Sequence, residues 1–209
     1  MDDTGYVGGR NGLFEYRFAD GQNDRLPTLA ADLVRRQVAV LVANTTPPAL
    51  AAKAATTTIP IVFMTGADPV EVGLVASFNR PGANVTGVTF LSNKLVAKRL
   101  ELLATLVSGA APIGMLVHTR NPNTAANVRD ALAAAAALGR TLLVERVASP
   151  SEVDAAVTTL VEHRIVALFV APQADFRNWQ QQILALAERH ALPTSFSNSD
   201  FVVAGGLMS

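Results

Sequence analysis

Polar side chains follow four short apolar stretches of this 209-residue chain, at the point where each stretch ends. They are hydroxyl, amide and carboxylate groups, and a proline stands within each of the four polar segments. Such groups bind a small polar molecule through hydrogen bonds and charge, but they include no thiol nucleophile. The candidate binding residues at these positions are Asn44, Thr45, Thr46, Asp68, Asn121, Asn123 and Asp175.

The four apolar stretches predict buried parallel β-strands, because β-branched runs of this length bounded by turn residues are typical of a sheet covered on both faces. A helical pattern follows each run, which predicts repeated strand–helix units. Ligands bind such sheets outside the carboxyl ends of the strands, where the following helices present N–H groups. The strands and their polar segments are 38–43 with 44–48, 59–64 with 65–69, 113–119 with 120–123, and 165–171 with 172–175.

The rest of the chain continues this alternation. We predict further strands at 11–18, 85–90, 141–147 and 192–197, and the beginning of another within 203–209. We predict helices at 26–34, 49–57, 94–107, 124–138 and 176–190. Two further helices start at capping boxes: a short one that begins at Asp68 with Glu71 and ends at 78, and one opened by Ser149 with Glu152 whose apolar face extends to 161.

The strand–helix units form two blocks along the chain, one before and one after residues 89–112. Two blocks of this kind predict an α/β protein with two doubly wound parallel-sheet lobes, a hinge and a cleft between the lobes. We expect the first lobe to span 1–88 and a hinge or crossover segment to span 89–112. The second lobe should span 113–200, and 201–209 should begin a return strand toward the hinge.

The polar residues that precede helices have a structural interpretation beside the functional one. One of Thr45 and Thr46 should cap the helix that follows, and the other could hold a carboxylate together with N–H groups of that helix. One of Asn121 and Asn123 should likewise cap the helix at 124. Asp68 and Asp175 each stand where a helix N-cap is expected, so each caps a helix, contacts a ligand, or does both.

Composition excludes several kinds of chemistry. The 17 Lys and Arg residues balance the 17 Asp and Glu residues, so we expect no nucleic-acid partner. The absence of cysteine excludes thiol catalysis, disulfides and thiolate metal sites. No metal-ligand spacing links the three histidines, so we expect neither a metal nor a cofactor. No stretch is long and apolar enough to span a bilayer, and the N-terminus as given lacks the pattern of a signal peptide.

Enzyme motifs are also missing from the sequence. It contains no G-x-S-x-G elbow, no Walker-type phosphate loop and no G-x-G-x-x-G after a strand. His118 ends a predicted strand at the cleft and could contact a ligand, although a structural role is the stronger interpretation. We therefore predict that the chain is not an enzyme.

Many segments resemble a bacterial family of ABC transporter substrate-binding proteins, and the resemblance covers essentially the whole chain. One of them is the segment Asn-Arg-Pro-Gly-Ala-Asn-Val-Thr-Gly-Val at 79–88. The others are 16–17, 24–27, 30–34, 51–63, 68–69, 73–77, 98–103 and the closing Ala-Gly-Gly-Leu-Met-Ser at 204–209. The resemblance implies a type I periplasmic-binding-protein fold, in which two lobes close around a small solute.

The resemblance also implies a function and a set of contacts. The chain would be the solute-binding component of an ABC importer, would bind an amino acid or an aromatic acid, and would meet ABC permease subunits in the membrane. It would lie in the periplasm or be lipid-anchored outside the inner membrane. The residues that the resemblance places at the solute are Thr45, Thr46, Asp68, Thr86 and Thr89 in the first lobe and Asn121, Asn123 and Asp175 in the second; Asn44 and His118 join them from their places at strand ends.

Two alternative functions stay open. The same fold serves as the ligand-sensing domain of regulators, although no helix-turn-helix precedes Gly5. Cofactor-free racemases and isomerases also use paired α/β lobes, although they usually need two cysteines. The resemblance further implies that the family's first strand and C-terminal portion are missing here, so a second copy could fill the sheet by swapping and form a homodimer.

Overall fold

Two parallel β-sheets organise residues 12–209, the part of the chain that the computed structural model describes. The first sheet has the order β1-β2-β3 and the second has the order β5-β4-β6-β7. The α/β fold class predicted from the sequence is therefore confirmed. The strands are β1 (Leu41–Asn44), β2 (Ile61–Thr65), β3 (Val85–Thr89), β4 (Ile113–His118), β5 (Leu142–Val147), β6 (Leu168–Val170) and β7 (Thr194–Ser195).

Helices connect the strands, except that turns and bends alone make the crossover from β2 to its parallel neighbour β3. They are α1 (Leu26–Arg35), α2 (Thr46–Ala55), α3 (Val96–Leu106), α4 (Thr124–Ala137), α5 (Pro150–Glu162), α6 (Asp175–Asn178), α7 (Gln180–Arg189) and α8 (Ser199–Val203), with 3-10 turns at Asn23–Arg25 and Ser92–Leu95. Between residues 12 and 209, none of these helices combines the length and the apolar character that crossing a membrane would take.

The first sheet buries one face. Along β1 and β2 alternate residues are buried, and they pack with Ala49 and Ala52 of α2 into a core of nine buried residues. The opposite face carries Val42, Val62 and Val88, which are all exposed. We call this sheet with α1 and α2 the first lobe.

The second sheet is covered on both faces. All six residues of its central strand β4 are buried, and the core around them contains 27 buried residues. Helix α3 contributes Val96, Leu100 and Leu103 to this core, so it packs with the second sheet. We call this sheet with α3 to α8 the second lobe. The domain limits expected from the sequence stay a prediction.

The strand expected at 11–18 does not form in the described part of that segment, and Asn11 lies outside the described residues. A strand needs a neighbouring strand for its backbone hydrogen bonds, and among the strands described within residues 12–209 β1 is paired with β2 alone, while this segment has a single bridge residue, Gly12. The segment is instead attached through a side chain: Arg17 donates two hydrogen bonds to Asp32 of α1, at 2.9 and 2.6 Å.

Three other expected elements differ. The helix expected to end at 78 is only a turn, because Gly73 adopts φ +72° and directs the chain out of the helical path. The helix expected at 176–190 is interrupted at Trp179, which gives α6 and α7. The expected strand within 203–209 is replaced by the end of α8 and a single parallel bridge between Ser195 and Met208.

Candidate functional site

A cavity of about 560 Å³ lies between the two lobes. The turn after β2 and the 3-10 turn before α3 form one wall, and the first two turns of α4 form the other. Its volume falls in the range of roughly 300–1,000 Å³ that is usual for small-molecule sites. The polar residues of its walls are Asp68, Glu71, Asn93 and Lys94 on one side and Asn123, Arg129 and Asp130 on the other. We call this cavity the cleft.

The lobes touch at the start of two helices. Thr46, the first residue of α2, is buried, and its Oγ1 lies 2.6 Å from Oγ1 of Thr65 at the end of β2. Asn123, immediately before α4, donates from Nδ2 to the same Thr46 oxygen at 3.3 Å. This contact brings together two residues that the sequence placed on equivalent loops of two different sheets.

Asp68 organises the wall of the first lobe. Its Oδ1 accepts hydrogen bonds from the N–H groups of Val70 and Glu71 at 3.0 and 3.3 Å, so the expected cap exists but serves a turn. Its other oxygen, Oδ2, lies 3.7 Å from Nζ of Lys94, which donates to Glu71. The hydrogen bond to Glu71 raises the pKa of Lys94, and the charges of Asp68 and Asp130 raise it further.

Asn121 and Asn123 have different roles. Oδ1 of Asn121 accepts the backbone N–H of Asn123 at 2.9 Å, which closes a local turn before α4. Neither side chain caps the helix, so the expected cap at this position is wrong. Asn123 is 7% exposed and its Oδ1 has no hydrogen-bond partner among residues 12–209.

The starts of α2 and α4 differ in the number of backbone N–H groups that could bind an anion. In α2 the expected threonine cap is absent, since neither Thr45 nor Thr46 makes a side-chain cap bond. Pro47 and Pro48 lack N–H groups, which leaves Thr46 as the only N–H donor without a partner in the first turn of α2. In α4 the N–H groups of Ala125 and Ala126 make no hydrogen bond within the described residues, and both residues line the cleft.

Four predicted residues of the first lobe do not line the cleft. Asn44 is exposed at the end of β1, and Thr86 is exposed within β3. Thr45 adopts φ +79° and ψ +166°, a strained conformation for a β-branched residue, and donates its N–H to the Met64 carbonyl at 2.7 Å. Thr89 donates to the carbonyl of Ala67 at 2.7 Å and so supports the cleft wall from behind.

His118 and Asp175 lie behind the wall of the second lobe. His118 is 2% exposed, and its Nδ1 is 3.9 Å from Oδ2 of Asp175. Its ring packs against Trp179 with the centroids 5.5 Å apart. Asp175 is the first residue of α6 and makes no cap bond there, so the expected cap at this position is also wrong.

A buried polar network that the sequence did not reveal anchors the start of α4. Thr124 donates its hydroxyl to the His118 carbonyl at 2.5 Å and accepts a hydrogen bond from Nε2 of Gln173 at 2.7 Å. Gln173 also accepts the backbone N–H of His118. Gln173 lies inside the polar segment 172–175 that follows a predicted strand, and this position is the feature of the sequence from which its role could have been predicted.

The structure therefore brings two predicted residues into the cleft wall, Asp68 and Asn123, with Thr46 in direct contact with Asn123. Sequence reasoning missed five polar wall residues, namely Glu71, Asn93, Lys94, Arg129 and Asp130. Within residues 12–209, no group of three or more His, Asp or Glu side chains is arranged to hold a metal ion.

Comparisons with known proteins connect this geometry to a family. A family model described as "ABC transporter substrate binding protein" matches residues 1–209. A tyrosine-binding protein of Clostridioides difficile strain R20291 is 34% identical over 212 residues, which cover 99% of this chain and 59% of that protein. The chain thus spans about three fifths of the length of this curated relative.

Solved structures agree with the fold. A conserved domain protein of Vibrio cholerae O1 biovar El Tor matches with a TM-score of 0.89 and 27% identity, over 98% of this chain and 68% of that one. The ABC domain of Streptococcus pneumoniae, solved with L-Trp, matches with a TM-score of 0.85 and 23% identity, over the same shares of the two chains. These likenesses establish the fold of paired α/β lobes.

Proposed function

Since this chain belongs to the family of ABC transporter substrate-binding proteins, we propose that it is the solute-binding part of an importer. The solute is a small organic molecule of the amino-acid or aromatic-acid class. The observation that carries the proposal is the cleft, which is lined by residues of both lobes and is adjacent to the contact between Thr46 and Asn123. The name of the tyrosine-binding relative supports the solute class.

Binding between two lobes has a direct physical basis here. A solute in the cleft contacts Asp68 from one lobe and Asn123 from the other, so it stabilises the arrangement in which the lobes meet. Leu50 and Val72 provide an apolar surface for an aromatic or aliphatic side chain, and the polar wall residues fix its orientation.

The remaining parts of the proposal concern the whole protein. It would deliver its solute to ABC permease subunits and would work in the periplasm or on a lipid anchor outside the inner membrane. The family and the tyrosine-binding relative are binding proteins, which favours the prediction that this chain is not an enzyme. The swapped or ordinary homodimer stays a prediction.

A ligand screen tests the proposal. The purified chain is heated with each standard amino acid and with benzoate and phenylpropanoate derivatives, and every compound that raises Tm is titrated by calorimetry. We expect at least one compound to bind, and we expect Asn123→Leu to weaken that binding. Thr86→Ala, at a predicted position outside the cleft, is the matched control and should bind normally. No heat and no rise in Tm with any compound would contradict the proposal.

A further inference from the structure

His118 is a buried titratable side chain that the proposed binding mode does not use. It is the last residue of β4 and is 2% exposed. Its ring nitrogen Nδ1 accepts the backbone N–H of Arg120 at 3.3 Å. Arg120 belongs to the loop 119–123, which ends at Asn123 and its hydrogen bond to Thr46 of the first lobe. The ring of His118 is therefore attached to the loop that makes the contact between the lobes.

Backbone bonds pass the position of this loop on to Asn123. The carbonyl of His118 accepts the N–H of Asn121 at 3.4 Å and the hydroxyl of Thr124 at 2.5 Å. The side chain of Asn121 in turn accepts the N–H of Asn123 at 2.9 Å. A displacement of Arg120 therefore displaces Asn121 and, through it, the amide that reaches Thr46.

Nδ1 of His118 has a second neighbour, the carboxylate of Asp175. Oδ2 of Asp175 lies 3.9 Å from Nδ1, its side chain is 13% exposed, and it makes no other ion pair within the described residues. The bond from Arg120 requires a lone pair on Nδ1, so the ring is neutral in this arrangement, with its proton on Nε2. A protonated ring has no lone pair left and can only donate, and a buried charge of this kind needs a charged partner. Asp175 is placed to be that partner.

Other charged groups near His118 are occupied or point elsewhere. Arg99 lies over the ring of Phe169, which is in register with Met115, an odd number of residues before His118 and thus on the other face of the sheet. The remaining groups on the neighbouring elements are Glu145 of β5, in register with Leu116; Asp154 of α5, which accepts from Gln182; Arg177 of α6, paired with Asp200; and the exposed side chain of Arg120.

We infer that His118 is a positioning residue for Asn123 and that its protonation separates the lobes. When Nδ1 gains a proton it repels the N–H of Arg120 and turns to Asp175, so the loop moves and Asn123 leaves Thr46. The arrangement with the lobes in contact binds fewer protons than the separated one, so it is favoured as the pH rises and lost as the pH falls.

The consequence for a solute rests on the proposed function: acid would weaken its binding, because the cleft needs both lobes. The contact between the lobes is measured without any solute. Failure of this inference and failure of the proposed function are therefore distinguishable.

Trp179 reports the charge of the ring. It is the single tryptophan of the chain, and its ring centroid lies 5.5 Å from that of His118. An imidazolium beside an indole quenches the emission of the indole, so we expect fluorescence to fall in one transition between pH 8 and pH 5, the interval in which histidines ordinarily titrate. His118→Asn should lose the transition. His163→Asn, at an exposed histidine after α5, is the matched control and should keep it. A transition that survives in His118→Asn, or none in the wild type, would overturn the inference.

Deuterium exchange follows the loop. His118→Asn keeps an acceptor near the place of Nδ1 but cannot be protonated, and a comparison at equal pH removes the intrinsic effect of pH on exchange. We expect the segment 119–124 of the two proteins to exchange equally at pH 8, and that of the wild type to exchange about three- to tenfold faster at pH 5. Asp175→Asn should move the transition to lower pH, because it removes the charge that stabilises the imidazolium. Equal exchange of wild type and His118→Asn at pH 5 would overturn the inference.

Small-angle X-ray scattering follows the lobes themselves. We expect the radius of gyration of the wild type to increase between pH 8 and pH 5, and that of His118→Asn to stay constant. A merely structural histidine would give no such difference between the two proteins, since the asparagine preserves the bond to Arg120 at both pH values. An equal radius of gyration for the two proteins at pH 5 would overturn the inference.

Discussion

Asn123 donates from Nδ2 to Oγ1 of Thr46 at 3.3 Å, a hydrogen bond between residues 77 positions apart in the chain. It links the first turns of α2 and α4, and hence the two lobes, at the border of the cleft. The Thr46 hydroxyl also lies 2.6 Å from the hydroxyl of Thr65, so one oxygen connects a helix start, a strand end and the opposite lobe.

Replacing that hydroxyl should be costly. Thr46→Val keeps the shape of the side chain but removes the acceptor of the buried Asn123 amide and leaves the Thr65 hydroxyl with only the N–H of Ala67 as a partner. We expect the free energy of unfolding to fall by about 1–3 kcal/mol. Urea denaturation measures this. Thr86→Val, the same change at an exposed strand position, should alter the unfolding free energy by no more than about 0.5 kcal/mol. Equal effects of the two variants would contradict the role given to Thr46.

Lys94 should compete with the solute for the acidic wall. Lys94→Gln removes a cation that pairs with Glu71 and lies 3.7 Å from Asp68, so the cleft becomes more negative. We expect tyramine and other amines to bind more tightly to this variant, as measured by calorimetry. Lys98→Gln, which removes an exposed charge of α3 paired with Glu101, is the matched control. Weaker binding of amines to Lys94→Gln would instead place Lys94 among the ligand contacts.

Arg99 is a buried cation that should make the free energy of unfolding depend on pH in the alkaline range. It is 6% exposed, it donates to the Val170 carbonyl at 3.0 Å, and its charge lies 4.5 Å from the centre of the Phe169 ring. Burial lowers its pKa well below the ordinary arginine value, to about 10. A base whose pKa is lower in the folded state binds fewer protons there than in the unfolded state, so folding is favoured as the pH rises through that interval.

The corresponding measurement compares the wild type with Arg99→Met. Below about pH 9 the arginine is charged in both states, so the difference in unfolding free energy between the two proteins should be constant. Between about pH 10 and pH 12 the difference should shift in favour of the wild type. A difference that shifts in favour of the variant over that interval would show that Arg99 has a charged partner in the folded protein.

Asp32 should hold the segment around Arg17 in a pH-dependent manner. The hydrogen bond from Arg17 lowers the pKa of Asp32, so this contact is fully formed above the ordinary carboxyl pKa and is lost as the pH falls through the lowered value. We expect Asp32→Asn to speed cleavage by trypsin after Arg17 at neutral pH. Asp24→Asn, at an exposed carboxyl just before α1, is the control. Equal cleavage rates would contradict the attachment.

The sheets were predictable because their strands are strongly apolar and end at polar segments. Each of the four strands that open the polar segments is present, although β6 is only three residues long. The absence of the strand expected at 11–18 could not be predicted from the sequence, because the alternating pattern is present and whether a strand pairs depends on the tertiary position of its neighbours. The turn at 69–78 depends on the left-handed conformation of Gly73, which the capping box does not reveal.

The site was predictable only in part. Asp68 and Asn123 follow strands, and that position is a signal that can be seen in sequence. Arg129 and Asp130 lie in the interior of α4, where charged residues usually face water. They line the cleft because the side of α4 faces the turn at 67–72, and that relationship is tertiary.

The exposed outer face of the first sheet has a consequence for how the molecule unfolds. Val42, Val62, Met64 and Val88 meet water there, and the nine-residue core behind them is a third the size of its counterpart. Amide protons of β1 and β2 should therefore exchange with deuterium well before those of β4, because the smaller core opens at lower cost. A solute bridging Asp68 and Asn123 would then protect chiefly the weaker half, and slowed exchange in β2 would reveal binding even where calorimetry registers little heat.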